Sequence, residues 1–465
     1  MPPPGRRPSQ RIAVVGGVAS GPAAAAAAKR ADADAEVVLF EQGEYMSYGA
    51  CEMPYYLGDQ IEDAERLLVV KPEVFEQTRH VTVHLQHRVE SIAPKTSRLT
   101  VTDLQTGQTR TERFDKFILA TGSAAIRPDF VHAHDPNVFV LRTLRHAIDL
   151  KAFLDTHPVD HAVIVGGSYV GLEVAEALRR LDKRVTVLAP HGPLATMTEA
   201  AQQQALERVV ADHQVQLRRE RATALLRTAE GVVRAVRTDQ HEVIGCDLVV
   251  VAVGVRPRTE LAQAAGLKIG VTGGIAVDSQ MRTNLPNVWA CGDGAELRRV
   301  IDDGPVNVSL AAVSYRTAKV AGKNAARRGR GTPRTFGGVS LASAVRVFGF
   351  EVAALGLRLG EARAAGYDAF ATDIQHLSRV KIYPGAKPIW LRLVAERAKG
   401  RILGASIAGE EGAALRLNAL VPLVRGQGTV YDLADQDFIY TPPLSPMHDP
   451  LTVAARRAVR ALSSN

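Results

Sequence analysis

Cysteine is scarce in this chain: three residues in 465, Cys51, Cys246 and Cys291, with no C-x-x-C pair and no metal-ligand spacing. So sparse and odd a count argues against a disulfide-stapled scaffold and a thiolate metal centre, and is what a reducing cytoplasm is expected to hold. No metal is expected. Long apolar runs are missing as well. No segment reaches the roughly 18 uncharged apolar residues needed to cross a bilayer, so no membrane span is expected. Aromatic residues make up only 5% of the chain, and the charge is mixed, 57 Lys and Arg against 49 Asp and Glu. The resulting +8 is not gathered into a basic, aromatic-interleaved stripe, which argues against nucleic acid as a partner. Spread over this length it is compatible with anionic ligands such as nucleotides, but reads first as a solvated surface with a few extra arginines.

What the chain does have is apolar residues in short runs, 46% hydrophobic overall, enough for large cores. Two segments share one layout. Residues 12–41 give an apolar strand (IAVVGG), a small-residue turn, an alanine-rich helix and a second strand (EVVLFE). Residues 161–189 repeat it with HAVIVGG, SYVGLEVAEALRRL and RVTVLA. Continuous β-branched runs are the pattern of parallel sheets covered on both faces. Two such βαβ units about 150 residues apart imply two nucleotide-binding domains. A third region, without a glycine fingerprint, follows the break ARRGRGTPR. Arg6 and Arg7 ahead of the first apolar run mimic a twin-arginine export signal. Removing that run would destroy the first unit, so residues 1–10 are expected to be a disordered tail and the chain to stay in the cytoplasm.

The first turn, Gly16-Gly17-Val18-Ala19-Ser20-Gly21, keeps the outer glycines of G-x-G-x-x-G and puts Val18 in the middle. A dinucleotide turn needs one glycine to leave the strand and another where helix and strand pack closely. A pyrophosphate then sits at the helix N-terminus. Alone the turn is equally a structural one. Glu41 adds to it, ending the next strand about 20 residues on, where a carboxylate accepts both ribose hydroxyls. The second turn, Gly166-Gly167-Ser168-Tyr169-Val170-Gly171, has Ser168 in the middle. The strand after it ends in Ala189-Pro190-His191. A carboxylate there would favour NAD and repel the phosphate of NADP. With none present, and Arg184 and His191 as the nearby polar candidates, NADPH is expected to serve at least as well as NADH.

From about residue 12 to 455 the sequence resembles the pyridine nucleotide-disulfide oxidoreductase family. Within it, the single-cysteine branch of coenzyme A-disulfide reductases, persulfide reductases and NADH oxidases is most similar. The likeness is carried by the two glycine turns, Ala120-Thr121-Gly122, Gly254-Val255-Arg256-Pro257 and Ala290-Cys291-Gly292-Asp293-Gly294. It implies an α/β fold with two Rossmann-like dinucleotide-binding domains, for FAD and NAD(P), plus a C-terminal α+β dimerisation domain. The expected limits are 11–150 and 261–333 for the FAD-binding domain, 151–260 for the NAD(P)-binding domain and 334–465 for the dimerisation domain. By the same likeness FAD would be held by Gly16, Gly17, Ala19, Ser20, Gly21, Glu41, Ser47, Ala120, Thr121, Gly122, Gly292 and Ala311. Asp293 would hold the ribityl chain, and the Val89 backbone the adenine. Gly166, Ser168, Tyr169, Val170 and Gly171 would bind NADPH or NADH, with Glu173 and Gly254 near the nicotinamide.

Cys51 lies in Ser47-Tyr48-Gly49-Ala50-Cys51-Glu52-Met53-Pro54-Tyr55. Most free cysteines are small buried residues. This segment is instead rich in Gly, Pro and Tyr, and resembles the branch pattern S-[FY]-x-x-C-x-x-P-Y. A thiolate is nucleophilic and forms reversible S–S bonds. Position 47 is serine and no second cysteine is near, so an internal disulfide cannot form. Oxidation must leave a mixed disulfide, a persulfide or a sulfenic acid. That narrows the acceptors to small disulfides, per- and polysulfides, peroxide or oxygen. Oxidase and peroxidase members carry a histidine where this chain has Ala19, which puts reduction of coenzyme A disulfide or a persulfide ahead of NAD(P)H oxidase activity. Glu52 stands where the branch has glycine and is expected to raise the Cys51 pKa.

Ile382-Tyr383-Pro384-Gly385-Ala386 and Tyr440-Thr441-Pro442-Pro443-Leu444-Ser445-Pro446 resemble dimerisation-domain motifs. They imply a homodimer in which Tyr440 and Tyr383 reach the other chain's cysteine and protonate a departing thiolate. An electron-transfer flavoprotein feeding a ferredoxin would need neither Cys51 nor these tyrosines, and a redox sensor would turn over negligibly.

Overall fold

Runs of Val and Ile with no polar alternation must be buried on both faces, and each becomes an inner strand of a parallel sheet. The computed structural model describes residues 9–329 and 331–463. Its first sheet runs, in spatial order, Val288–Ala290, Lys116–Leu119, Arg11–Val15, Glu36–Phe40 and Thr82–His84, all parallel. Helices Ser20–Ala31 and Ala311–Ala326 cover one face. The alanine run is what lets these helices meet. A Cβ on Gly322 would lie 2.1 Å from the Ala24 carbonyl oxygen, so the backbones are nearly touching. The other face packs, through Phe114 and Phe117, on the antiparallel strands His87–Ala93, Arg98–Asp103 and Thr109–Arg113.

The second sheet repeats the pattern: Val215–Arg218, Arg184–Leu188, His161–Val165, Leu248–Val251 and Val138–Val140, again all parallel. An antiparallel ribbon, Ser123–Ala125 against Val255–Pro257, carries the chain out of the first unit and back. The third sheet is antiparallel, in the order Ser343–Val347, Phe350–Gly356, Ile402–Gly409, Pro388–Glu396 and Ala369–Leu377. Helices Val430–Ala434 and Pro450–Ser463 close its core. Among the described residues no helix is long and apolar enough to cross a membrane.

Three expected limits move. Strand Val138–Val140 already belongs to the second sheet, and the cut at 150/151 falls inside helix Leu144–Thr156. A three-residue strand after a Pro- and His-rich loop leaves too short a run to read as one. At 333/334, Phe336 and Val339 are still in the core of the first unit, and the third sheet opens at Ser343. The tail ends before Gln10, whose side-chain amide donates to Asp32 (2.8 Å) and to the Ala326 carbonyl (2.6 Å). Residues 1–8, with Arg6 and Arg7, lie outside the described residues.

The second and third units are locked together. Gln202, on helix Ala200–Asp212, is buried against the third sheet. Its amide donates to the Ser406 carbonyl (2.9 Å) and accepts from the Ser406 hydroxyl (2.9 Å). Nearby, Glu176 accepts from the Phe348 backbone N–H (2.8 Å) and Arg392 pairs with Glu199 (3.0 Å). One hydrophobic core runs through both units, from Ile164 to Val345 and Phe350. Gln202→Ala would take away the acceptor of the buried Ser406 hydroxyl and of the Glu199 backbone N–H. It should lower stability by about 1–3 kcal/mol, read as a lower midpoint in thermal denaturation.

Candidate active site

At the first turn the backbone leaves no choice of residue. Gly16 has φ +111°, and a Cβ there would lie 2.1 Å from the Ala120 oxygen. A Cβ on Gly21 would lie 1.6 Å from the Gly16 oxygen. Val18, in the central position, packs towards the core of the second unit instead. Ala19 precedes helix Ser20–Ala31 without capping it. Glu41 is fastened at the strand end: its carboxylate accepts from the backbone N–H groups of Gly17 (2.6 Å) and Gly43 (2.7 Å). Burial pushes its pKa up, against those donors and Arg258.

The loop 290–294 closes onto this turn, because Gly292 has room for no side chain. A Cβ there would lie 2.1 Å from the Ser20 hydroxyl. Asp293 follows, with one oxygen bound by Arg142 (2.8 Å) and Ser123 (3.2 Å) and the other by Ser314 (2.8 Å). Thr121 donates to the Arg258 carbonyl (2.7 Å), which ties the 120–122 segment to the ribbon. Val89 is half-buried on strand His87–Ala93, whose first N–H bonds the Glu41 carbonyl (2.9 Å). Ala311 is the exposed first residue of its helix. Arg142, Ser123 and Ser314 went unread in the sequence. Arg142 had a signal: it follows the carboxyl end of a parallel strand, where α/β sheets bind ligands, but that strand had not been recognised.

The second turn is built alike. Gly166 has φ +117°, and Cβ atoms on Gly166 and Gly171 would lie 2.4 Å and 2.1 Å from the oxygens of Ala252 and Gly166. Ser168 works as a helix cap, its hydroxyl accepting from the Gly171 N–H (3.3 Å) and donating to the Ala252 carbonyl (2.9 Å). Such a residue suits a helix start better than a glycine. Tyr169, Val170 and Glu173 follow on helix Tyr169–Arg180, and Gly254 (φ +117°) lies at the edge of the ribbon. Burial, with Glu176 nearby, pushes the Glu173 carboxyl up to about 7. Arg184 proves misassigned. It sits at the opposite end of its strand from Ala189, about 16 Å away at a strand's rise per residue, and is paired with Asp160.

Cys51 is exposed, in the tight turn Ala50–Glu52 that leads into helix Met53–Leu57. Its loop is tied to the first glycine turn by the Ser47 N–H on the Gly17 carbonyl (2.9 Å), with Ser47 held at φ +46°. Burial by neighbouring protein and then the Glu52 carboxylate push the thiol pKa up. Glu173 and Asp293 add to this, and Arg142 opposes it. Groups from the helix after the second turn and from the 290–294 loop thus act on one sulfur. Cys246 and Cys291 are buried, with thiols pushed up to about 12. Tyr383 and Tyr440 stand apart in exposed loops of the third unit, among Ile382, Ile439, Leu444 and Met447, the first two 92% and 87% exposed. No bond joins either tyrosine to the Cys51 loop among the described residues. No cluster of metal-ligating side chains is found among them either.

Two dinucleotide-type turns facing one accessible thiol define a class of redox protein. The chain belongs to the pyridine nucleotide-disulphide oxidoreductase family, whose model matches residues 10–325 and whose dimerisation-domain model matches residues 342–450. It is 31% identical to the NAD(P)H coenzyme A polysulfide/persulfide reductase of Pyrococcus horikoshii over 453 residues, 97% of this chain and 99% of the relative. It is 27% identical to the coenzyme A disulfide reductase of Staphylococcus aureus over 448 residues, 96% of this chain and 99% of the relative. The solved structure of a NAD-dependent persulfide reductase from A. fulgidus matches with a TM-score of 0.92 at 28% identity, over 98% of this chain and 84% of that one.

The raised thiol gives a pH prediction. The thiolate is the form that reacts, so alkylation of Cys51 by iodoacetamide should climb with pH and still be climbing above the ordinary cysteine range. Glu52→Gln removes the largest charge effect on the sulfur and should move the whole rate–pH curve to lower pH, with faster alkylation at pH 7. An unmoved curve would show that Glu52 does not act on the thiol.

Proposed function

We propose that this chain is a flavin-dependent NAD(P)H oxidoreductase that reduces coenzyme A disulfide, or a persulfide or polysulfide, through Cys51 as a cytoplasmic homodimer. The observation that carries the reading is the single accessible thiol between two dinucleotide turns, with the other two cysteines buried and protonated. The residues present fit FAD. Gly16, Gly21 and Gly292 pack on Ala120, on Gly16 and on Ser20 too closely for any Cβ, which draws the helix start, the 120–122 segment and the 290–294 loop together. Glu41 suits ribose hydroxyls, Asp293 a polyol and the Val89 backbone an adenine edge. Beside Asp293, the buried Arg142 Nε has no hydrogen-bond partner among the described residues. Bound there, FAD supplies two-electron transfer from NAD(P)H to sulfur.

The chain's own residues do the rest. Gly16, Gly17, Ala19, Ser20 and Gly21 present one helix N-terminus to a pyrophosphate, while Ser47, Ala120, Thr121, Gly122 and Ala311 border the same cleft. Gly166, Ser168, Tyr169, Val170 and Gly171 present the second helix to the nicotinamide dinucleotide, and Glu173 and Gly254 lie towards its reactive end. The Cys51 thiolate attacks one sulfur of the acceptor. That S–S bond breaks, a mixed disulfide or persulfide forms on Cys51, and the other sulfur leaves as a thiolate. Two electrons drawn from NAD(P)H then cleave the new bond, which returns Cys51 and releases the second thiol. Tyr440, with Tyr383, reaching over from the second copy, is suited to protonate a departing thiolate.

Cys51→Ser should keep bound FAD and its reduction by NADPH, yet lose turnover with coenzyme A disulfide by roughly a thousandfold or more. Normal disulfide reduction by this variant, or release of FMN in place of FAD on denaturation, would refute the reading. Tyr440→Phe should cost about a hundredfold or less. Mixed dimers with Cys51→Ser should regain activity, because an intact Cys51 then faces an intact Tyr440. No recovery in a verified mixed dimer would show that Tyr440 does not act across the dimer.

A further inference from the structure

NADPH and NADH differ by one phosphate on the adenosine ribose, which falls beside the end of the second strand of a dinucleotide fold. Here that strand ends at Leu188, and the next residue, Ala189, is buried beneath the glycine turn: a Cβ on Gly167 would lie 2.6 Å from the Ala189 Cβ. Nothing acidic stands in the turn after it, where the Gly192 N–H bonds the Ala189 carbonyl (2.9 Å). The neighbouring strand, Val215–Arg218, ends alongside, with the Ala189 N–H on the Arg218 carbonyl (2.8 Å).

Of the arginines considered there, two are spoken for. Arg184 is at the far end of its strand with Asp160, and Arg218 is paired with Glu220 (2.7 Å) and reaches Glu242. Arg219 is different. Its guanidinium lies directly over Gly192, where a Cβ would come within 2.9 Å of its Nη2. Gln203 (3.2 Å) and Glu207 (2.6 Å), on the same face of helix Ala200–Asp212, both bind that one nitrogen. Gln203 also donates to the His191 carbonyl (3.3 Å), which ties the turn to the same helix. The other guanidinium nitrogens, Nε and Nη1, have no partner among the described residues, and the side chain is half-exposed. A planar donor fixed at one corner and free at the others is what bidentate phosphate recognition requires.

We propose that Arg219, seated over Gly192 and steered by Gln203 and Glu207, reads the 2′-phosphate of NADPH and sets the nucleotide preference of this enzyme. The inference rests on the reading that the second unit takes a nicotinamide dinucleotide. Gly192 is part of the device: a side chain there would displace the guanidinium, and its φ of +84° favours glycine. Glu207 and Gln203 hold one guanidinium nitrogen and so orient the other two, Nε and Nη1, as donors.

The test compares adenosine 2′,5′-diphosphate with adenosine 5′-monophosphate, which differ by that phosphate alone, titrated into the FAD-loaded protein by calorimetry. The wild type should bind the diphosphate about 10- to 100-fold more tightly, and Arg219→Ala should abolish the difference. In steady state Arg219→Ala should lose NADPH kcat/KM by a similar factor while NADH stays within about twofold. Arg219→Lys, which keeps the charge but not the fork, should fall between. FAD content and the thermal midpoint, compared between variants, separate a local effect from misfolding. Equal binding of the two ligands by the wild type, or an unchanged preference in Arg219→Ala, would overturn the proposal. If neither ligand binds and neither NADPH nor NADH reduces the flavin, the nicotinamide reading itself falls, and this inference with it.

Discussion

At Gly21 and Gly171 there is no space for one more carbon atom, and the form of both glycine turns depends on it. Gly21 lies against the Gly16 carbonyl and Gly171 against the Gly166 carbonyl, each closer than any Cβ would allow. That closeness lets each helix start directly over the carboxyl edge of its sheet, so the unpaired N–H groups of its first turn face the ligand side. The rest of the first site is assembled around this start. Gly17 in the same turn holds the Glu41 carboxylate, Ser20 at the helix start abuts Gly292, and Gly292 delivers Asp293. A side chain at either tight glycine would push its helix off its sheet, and the polar groups that depend on the turn would move with it.

The same assembly surrounds the Cys51 sulfur with carboxylates. Groups that suit hydroxyl-rich ligands, Asp293 among them, also disfavour a thiolate, and Glu52 and Glu173 act in the same sense. Arg142 resolves part of the conflict. Bound to Asp293 at 2.8 Å, it makes with it a nearly neutral pair as seen from Cys51. Glu52, next to Cys51 in the chain, is the largest charge effect on the thiol. Sequence neighbours matter most where the surrounding charges already cancel.

Much of this was legible in the sequence because it rests on local rules. The glycine turns, the acidic strand end at Glu41 and the Gly- and Tyr-rich setting of Cys51 each declare themselves within a few residues. What was illegible depends on distant strands meeting. Arg142, Ser123 and Ser314 converge on Asp293 from three separate segments. Arg184 is near Ala189 along the chain and far in space, because an extended strand separates its ends by its full length, whereas Arg219 is thirty residues on and adjacent. Ser168 looked like a defect in a glycine motif. Its capping bond to Gly171 shows a different solution to the same helix start. The domain cut near 150 failed because strand order, not chain order, decides that Val138–Val140 belongs to the second sheet.

The third unit bears on the site through packing. Helix Tyr169–Arg180 begins at the second glycine turn, carries Glu173 one turn along, and three residues later is gripped by the third unit where Glu176 accepts from Phe348. Gln202 fixes the next helix of the same unit to Ser406. With a continuous hydrophobic core behind these bonds, the second unit packs directly on the third, and the placement of its glycine turn follows how the third sheet sits. A lone cysteine cannot close an internal disulfide, so on the proposed reading the thiolate it displaces needs a proton from elsewhere. The exposed tyrosines that would supply it lie on that same third unit. A contact between two copies at those loops would then complete the sulfur chemistry and brace the sheet that holds the nucleotide turn in place.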